Sequence, residues 1–381
     1  MVRLRSARPD GDASGEAERL SSLDAVRGMF LLLLIGGGFG LRDPQMVSQD
    51  RWGWITNQWT HRAWEGCSLW DLLQPALLFC AGVAMPYSYA QRQAKGQNWI
   101  RQFAHALKRA ALLVLLGLYL DSYRENHLVF DLRGDLQQVG LAYLLAFLVL
   151  PLGVAGRGVS LGFLLVGHTA AFVIYAFASR HELWDPMHNL GAALDEWMRF
   201  APQREHLVTF NAVAAAAVLL IGTLIGSLTH SGLTPGIKVA IMAGCSLFGI
   251  LSAWLFSGGD GWIEYRWLAI IPMIRPLVTW TFVFSAVGWT LLIFTYFYLV
   301  MEGFLWRAWA APLAVFGRNP LFLYTTFVLF RDWAAKSANL VLPAVPASAA
   351  TFRPLILELI VVAIYWLICF WLYRRRIFLK V

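Results

Sequence analysis

The residues best placed to do chemistry lie in one stretch, HRAWEGCSLWDLLQPALLFCAGVAMPYSYAQ, residues 61 to 91. It opens on His61 among tryptophans and then enters a long apolar run carrying one acid, Asp71, and two prolines, Pro75 and Pro86. A bilayer takes about 20 helical residues to cross at 1.5 Å rise each, and this run is long enough. His61 therefore falls just outside a membrane-spanning helix, with Asp71 in its first turns. Acids in a membrane are costly and face a cavity or a partner. Asp71 is expected to orient His61, to hold a substrate amine, or to make a structural hydrogen bond to a neighbouring helix. An imidazole titrates near neutral pH and can work as a general base or a nucleophile. Trp64 could stack on a sugar ring, though an interfacial tryptophan more commonly anchors its chain in the headgroup layer. Glu65 could accept from an amine or be an ordinary loop acid.

The elements that position these residues follow from composition. Of 381 residues 58% are hydrophobic and 14% charged, against about 25% charged in soluble domains. Only helices and closed barrels satisfy the backbone in lipid, and the apolar runs are too long for barrel strands. The expected fold is all-α, a polytopic transmembrane bundle of about ten spans. We place them at 23–41, 69–90, 104–121, 136–152, 158–178, 208–229, 237–256, 277–300, 312–331 and 354–373. Residues 1–22 are polar, with Pro9, Gly11 and Gly15, and read as a flexible cytoplasmic tail rather than a signal peptide. Residues 23–381 form one membrane domain. The stretch WIEYRWLAIIPMIRP, 262 to 276, is short and proline-broken and reads as interfacial or re-entrant.

The net charge of +8 is assigned to cytoplasmic helix ends and lipid headgroups rather than to nucleic acid. Arg92, Lys95, Arg101, Lys108 and Arg109 in loop 91–109 mark the cytoplasmic side most strongly. An even number of spans puts both termini there and leaves His61 outside. Exterior loops 42–68, 122–135, 179–207 and 332–353 carry acids and aromatics, a combination that suits sugars. The cysteines, Cys67, Cys80, Cys245 and Cys369, are expected to stay unpaired. No metal motif, P-loop or dinucleotide fingerprint occurs, and the glycines of IGGGFG, 35 to 40, suit close packing or a bent helix exit. In RLSSLDAVRG, 19 to 28, Ser21 or Ser22 could cap the first helix, and Asp24 and Arg27 share a helix face. Gln137, Gln138 and Asn319 are amides at helix starts, where such groups commonly bond helix to helix.

SLDAVRG followed by an apolar helix resembles the opening of the heparan-α-glucosaminide N-acetyltransferase family and its bacterial relatives. HRAWEGCSLWDLLQPALLFCAGVAMPYSYA is similar to the family's His-x-x-Trp-x-Gly segment and the helix after it. LQQVGLAYLL at 136–145, RNPLFLY at 318–324 and the terminal YRRRIFLKV extend the likeness, in order, over nearly all of 19–381. The resemblance implies acetyl transfer from cytoplasmic acetyl-CoA to a glucosamine-type amine on the far side of a bacterial inner (plasma) membrane. It implies that His61 is the catalytic histidine, as base or transient acetyl carrier, with Asp71 beside it and no metal. It also implies that Gln137, Gln138 and Asn319 line the substrate cavity; Trp64 and Glu65 are taken as substrate-binding candidates beside them. Arg27 with its partner Asp24, and Arg92, Lys108, Arg109 and Arg318, would meet the charged part of CoA. Positive-inside anchoring is the competing explanation for each of these cations. Family enzymes are often dimers, and glycine-rich helix faces permit a homodimer here.

Two other functions fit the residues. An amino-sugar transporter of the N-acetylglucosamine type would use broken helices around a midplane site, which Pro75 and Pro86 allow. An inactive partner in envelope-sugar assembly would need the architecture alone.

Overall fold

The computed structural model describes residues 20–43, 49–200, 206–258, 270–342 and 351–379. Most of the 1–22 tail, and residues 262–269 of the proline-broken stretch, lie outside these. The described residues form α1 (Ser21–Ile35), α2 (Gln49–Gln58), α3 (Leu73–Ala94), α4 (Trp99–Glu125), α5 (Asp135–Val149), α6 (Gly153–Ser179) and α7 (Leu190–Trp197). They continue as α8 (Asn211–His230), α9 (Pro235–Ser257), α10 (Trp280–Tyr298), α11 (Ala311–Gly317), α12 (Pro320–Val341) and α13 (Arg353–Arg374). Among the described residues there is no strand, only an isolated backbone bridge between Glu65 and Ile274.

Apolar surface sorts the helices into an inner and an outer set. The apolar windows of Asn211–His230 and Trp280–Gly303 are 72% and 67% buried, whereas those of Pro235–Ser257 and Arg353–Arg374 are each 22% buried. Phe30, Phe79, Leu219, Leu220 and Phe294 meet at the centre, on α1, α3, α8 and α10. Leu115, Phe163, Val166, Phe248, Leu251 and Leu367 point outward from α4, α6, α9 and α13. Apolar side chains exposed on long helices are what a lipid solvent calls for. Among the described residues six runs are long and apolar enough to cross a bilayer: Trp99–Glu125, Asp135–Ser179, Asn211–His230, Pro235–Ser257, Trp280–Gly303 and Arg353–Arg374. A seventh is added if Ala308–Gly317 and Pro320–Leu340, bent by 65°, count as one. By this measure the bundle has fewer spans than the ten expected. The shortfall has local causes: α1 is only 15 residues long, α3 interrupts its apolar stretch with Gln74, Pro75, Pro86, Tyr87 and Tyr89, and Asp135–Ser179 takes α5 and α6 together.

Neighbouring helices are joined by contacts that fix their directions. A Cβ on Gly28 of α1 would lie 1.8 Å from the Leu313 carbonyl oxygen, and one on Gly317 would lie 1.8 Å from the Asp24 carbonyl oxygen. Only glycine lets α1 and α11 approach this closely. Arg157 of α6 donates to the Thr223 carbonyl while His168 stacks on Phe210, so α6 and α8 run antiparallel. Ser246 of α9 donates to the Gly288 carbonyl while Phe256 meets Trp280, so α9 and α10 are antiparallel too. Arg331 pairs with Glu358 at one end of α12 and α13, and Asn319 reaches Ile377 at the other.

Three local expectations change. Neither Ser21 nor Ser22 caps α1; Leu20 holds that position without a side-chain bond. The Glu302 carboxylate beyond α10 instead accepts from the Ser22 N–H at 3.2 Å, filling the same need for an acceptor at a helix start. The first apolar segment stops being helical at Ile35 rather than at 41, because Gly37, Gly38, Phe39 and Gly40 all take positive φ and turn the chain out. Residues 270–276 form no helix. Pro272 and Pro276 lack the N–H a helix needs, and the Thr279 hydroxyl ties the segment into a turn, accepting from Ile274 N at 3.0 Å.

Candidate active site

His61 and Asp71 come together. His61 Nδ1 lies 2.7 Å from Asp71 Oδ1. Asp71 sits in a single 3-10 turn, Trp70–Leu72, just ahead of α3. Its side chain is 0% exposed, while that of His61 is 40% exposed. Oδ2 accepts from Ser68 N at 3.0 Å, from the Ser68 hydroxyl at 2.8 Å and from Arg62 N at 3.4 Å. Arg275 Nε approaches Oδ1 at 3.6 Å. A buried charge must be paired and hydrogen-bonded, and this one is. With Nδ1–H donated to the carboxylate, the Nε2 lone pair is left to the exposed side of the ring. The arrangement can therefore take a proton or attack an electrophile, with the carboxylate fixing the tautomer.

The local sequence explains why the loop folds this way. Ser68-x-x-Asp71 ahead of an apolar run is the spacing of a capping box, and Asp71 does reach back to the Ser68 N–H. Gln58 at the end of α2 accepts from Leu69 N at 3.0 Å, which ties α2 to the same turn. Trp70 lies 6.4 Å from the His61 ring and carries the Arg42 guanidinium 4.1 Å above its own. Burial, and Arg331 next, lower the pKa of Arg42.

The other expected substrate residues are placed differently. Trp64 turns inward against Phe172, Val208, Ile274 and Leu277 and meets His206 edge-on at 5.7 Å. Glu65 is exposed, and its backbone pairs with Ile274. Gln137 is buried toward α4, donating to Asp121 Oδ2 at 2.6 Å. Asn319 donates to the Ile377 carbonyl at 3.0 Å and accepts from Leu379 N at 3.1 Å, so it clamps the C-terminal segment.

The six residues expected near CoA divide into two groups. Arg92, Lys108 and Arg109 converge on one cleft of about 210 Å3, walled by α3, α4 and α5, with Gln102, His105 and Tyr143. The Arg109 guanidinium lies 4.5 Å over the Tyr143 ring. Asp24, Arg27 and Arg318 instead lie on the α1–α11 seam. Arg27 donates to the Gly317 carbonyl at 3.1 Å and faces Asp24 at 3.5 Å, and Arg318 lies 3.8 Å from Asp24. That group fastens two helices.

The cleft and the imidazole occupy opposite ends of α3. A second, smaller cavity of about 20 Å3 lies on the His61 side, lined by Gln74, Leu78, Arg133, Gln138, Asn211 and Arg275. Both cavities use α3 and α5 as walls. From Leu78 to Met85, the facing limits on α3, the rise is about 10 Å. Sequence reasoning missed Arg133 and Arg275 altogether. Among the described residues no cluster of three or more His, Cys, Asp or Glu could hold a metal ion, and none of the four cysteines is in a disulfide. No protein-family model matches this chain, and no curated protein matches it.

Proposed function

We propose that this chain is a membrane acyltransferase. It would carry acetyl from acetyl-CoA, held in the cleft of Arg92, Lys108 and Arg109, to the amine of a glucosamine-type sugar at His61. The observation that carries the reading is the pairing of His61 Nδ1 with buried Asp71 at one end of α3, with a basic cleft at its other end. A cleft holding three cations and an aromatic face suits phosphates and an adenine ring. In the transfer step the amine nitrogen bonds to the thioester carbonyl carbon and the C–S bond breaks. Nε2 takes the amine proton, or first carries the acetyl itself, and the thiolate leaves as CoA.

Ten crossings fit this reading better than six. The contacts between helices support alternating directions for α1, α3, α4, α5, α6, α8, α9, α10, α12 and α13, so both α5 and α6 would cross rather than form one run. Among the described residues Asp24 and Glu302 are the acids at the cleft end, while Arg92, Lys95, Arg101, Lys108, Arg109 and Arg374 to Arg376 lie there. On this reading the cleft and both termini face the cytoplasm and His61 faces outward across a bacterial inner membrane, the orientation that the positive-inside rule favours. The resemblance to the heparan-α-glucosaminide N-acetyltransferase family supplies the substrates. The transporter reading draws on the 65° break between α11 and α12, but Asn319 at that break holds the chain's own C-terminal segment.

Purified protein is incubated with radiolabelled acetyl-CoA and glucosamine. Label is expected on the sugar amine, and it is expected to vanish in His61→Ala. Full activity in that variant, or CoA-independent sugar uptake by proteoliposomes, would sink the assignment.

A further inference from the structure

Arg275 stands in an irregular segment between α9 and α10, far in sequence from the His61 loop. Its Nε lies 3.6 Å from Asp71 Oδ1, the same oxygen that faces His61 Nδ1 at 2.7 Å. Its side chain is 13% exposed. The segment that carries it is held on three sides. Gly66 N donates to the Met273 carbonyl at 2.8 Å, which joins it to the His61 loop. Asn211 of α8 donates to the Pro276 carbonyl at 2.7 Å. Thr279 Oγ1 accepts from Ile274 N at 3.0 Å and donates to the Pro272 carbonyl at 2.9 Å. A backbone pinned this closely on either side of one arginine delivers its guanidinium to a fixed place, as a positioning group needs.

We propose that Arg275 is a positioning residue for the His61–Asp71 pair. Its guanidinium keeps Asp71 an ionised acceptor for Nδ1–H, so that the proton stays off Nε2 and the reactive lone pair is retained. The inference rests on the transferase reading for its kinetic test but not for its chemical one. The charged groups around the pair are Asp71 and Arg275, with Arg42 across Trp70; Arg62 and Glu65 lie in the same loop as His61. Of these cations, Arg275 is the one whose side chain reaches the oxygen that His61 uses.

Removing it has a definite sign. The carboxylate loses a neighbouring positive charge and holds a proton on the imidazole more firmly, so Nε2 is more often protonated and less nucleophilic. Arg275→Gln should lower kcat several-fold near pH 6.5, and less at higher pH, with KM for both substrates nearly unchanged. Arg275→Lys should restore most of the loss, and added guanidinium should restore part of it. The second readout is the rate at which diethyl pyrocarbonate carbethoxylates His61, located by peptide mass spectrometry. At about pH 6.5 that rate should fall several-fold in Arg275→Gln and return in Arg275→Lys. If Arg275→Gln does not fold, Arg275→Met keeps the apolar stem and takes the same two tests. Equal carbethoxylation rates in wild type and the neutral variants would overturn the proposal. A wild type with no acetyl transfer would remove the function while the carbethoxylation arm still decides the role of Arg275.

Discussion

Asp71→Asn is the sharpest perturbation of the site, because it changes charge and hydrogen count with almost no change in volume. Oδ2 receives two donors from Ser68, at 3.0 and 2.8 Å, and one from Arg62 at 3.4 Å. An asparagine therefore keeps its carbonyl oxygen there. Its NH2 group must then occupy the place of Oδ1, facing His61 Nδ1 and the Arg275 guanidinium. Nδ1 can meet that donor only as an acceptor, so the ring proton moves to Nε2 and the reactive lone pair is lost. Where the same exchange is made behind a hydrolase histidine, kcat falls by about 10⁴-fold. His61 is 40% exposed and freer to reorient, so the expected loss here is about 10²- to 10⁴-fold in kcat with KM little changed. Folding stability also drops, because Arg275 loses its carboxylate. The cost is about 3 kcal/mol, the low end for a broken buried pair, since the Ser68 bonds persist. The assay is acetyl transfer from labelled acetyl-CoA by purified protein, with thermal unfolding measured alongside. His61→Ala combined with Asp71→Asn should be no slower than His61→Ala alone, since the two residues act as a unit. An Asp71→Asn enzyme within about threefold of wild type, or a double variant whose losses multiply, would refute the tautomer argument.

Other outcomes follow from the same coordinates. Changing Arg92, Lys108 or Arg109 to Gln should weaken acetyl-CoA binding by about tenfold each and reduce its salt dependence, with kcat nearly unchanged, as read by calorimetry and steady-state kinetics. Gly28→Ala and Gly317→Ala each put a Cβ 1.8 Å from a facing carbonyl oxygen, so helices α1 and α11 must separate. The loss should be about 3 kcal/mol or more in unfolding measurements. Asp195, in α7 outside the spans, has a raised pKa because burial outweighs the bifurcated hydrogen bond that its carboxylate accepts from the Thr209 N–H. The folded state then binds the proton more tightly than the unfolded chain, and its contribution to stability falls as pH rises from the ordinary aspartate range through the folded value. Asp195→Asn should remove that part of the slope of Tm against pH.

How much of this was legible depends on the range of the interaction. The apolar runs declared the helices, because length and hydropathy are local properties of the chain. The His61–Asp71 pair was also near at hand, since its members are ten residues apart and Ser68 between them donates to the Asp71 carboxylate. The convergence of Arg92, Lys108 and Arg109 follows from α3 and α4 being consecutive and antiparallel. Arg275 could not be found in this way. It reaches Asp71 across about 200 positions of chain, and nothing in PMIRP announces a partner. Asn319 is ambiguous for a related reason. A polar amide at a helix start looks the same in sequence whether it faces a substrate or, as here, the chain's own backbone at Ile377 and Leu379.

The spatial relation of the two cavities constrains any transfer that this molecule could perform. They share the walls α3 and α5 and are separated by packed chain between Leu78 and Met85, about 10 Å along the helix axis. On the proposed reading, an acyl thioester entering beside Arg109 must travel up that seam to meet Nε2. α3 is poorly suited to move, because glycines hold it against α8: a Cβ on Gly82 would lie 2.2 Å from the Leu219 carbonyl oxygen. α5 is held more loosely from the α3 side and carries Asp135, Gln137 and Gln138 at its His61 end. Opening should therefore come from α5 and its partner α4 moving together away from α3. A disulfide joining the facing sides of α3 and α5 between the two cavities should stop transfer while leaving acetyl-CoA affinity intact, and reduction should restore it. Transfer that continues unabated across such a link would show that the acyl group does not pass along this seam.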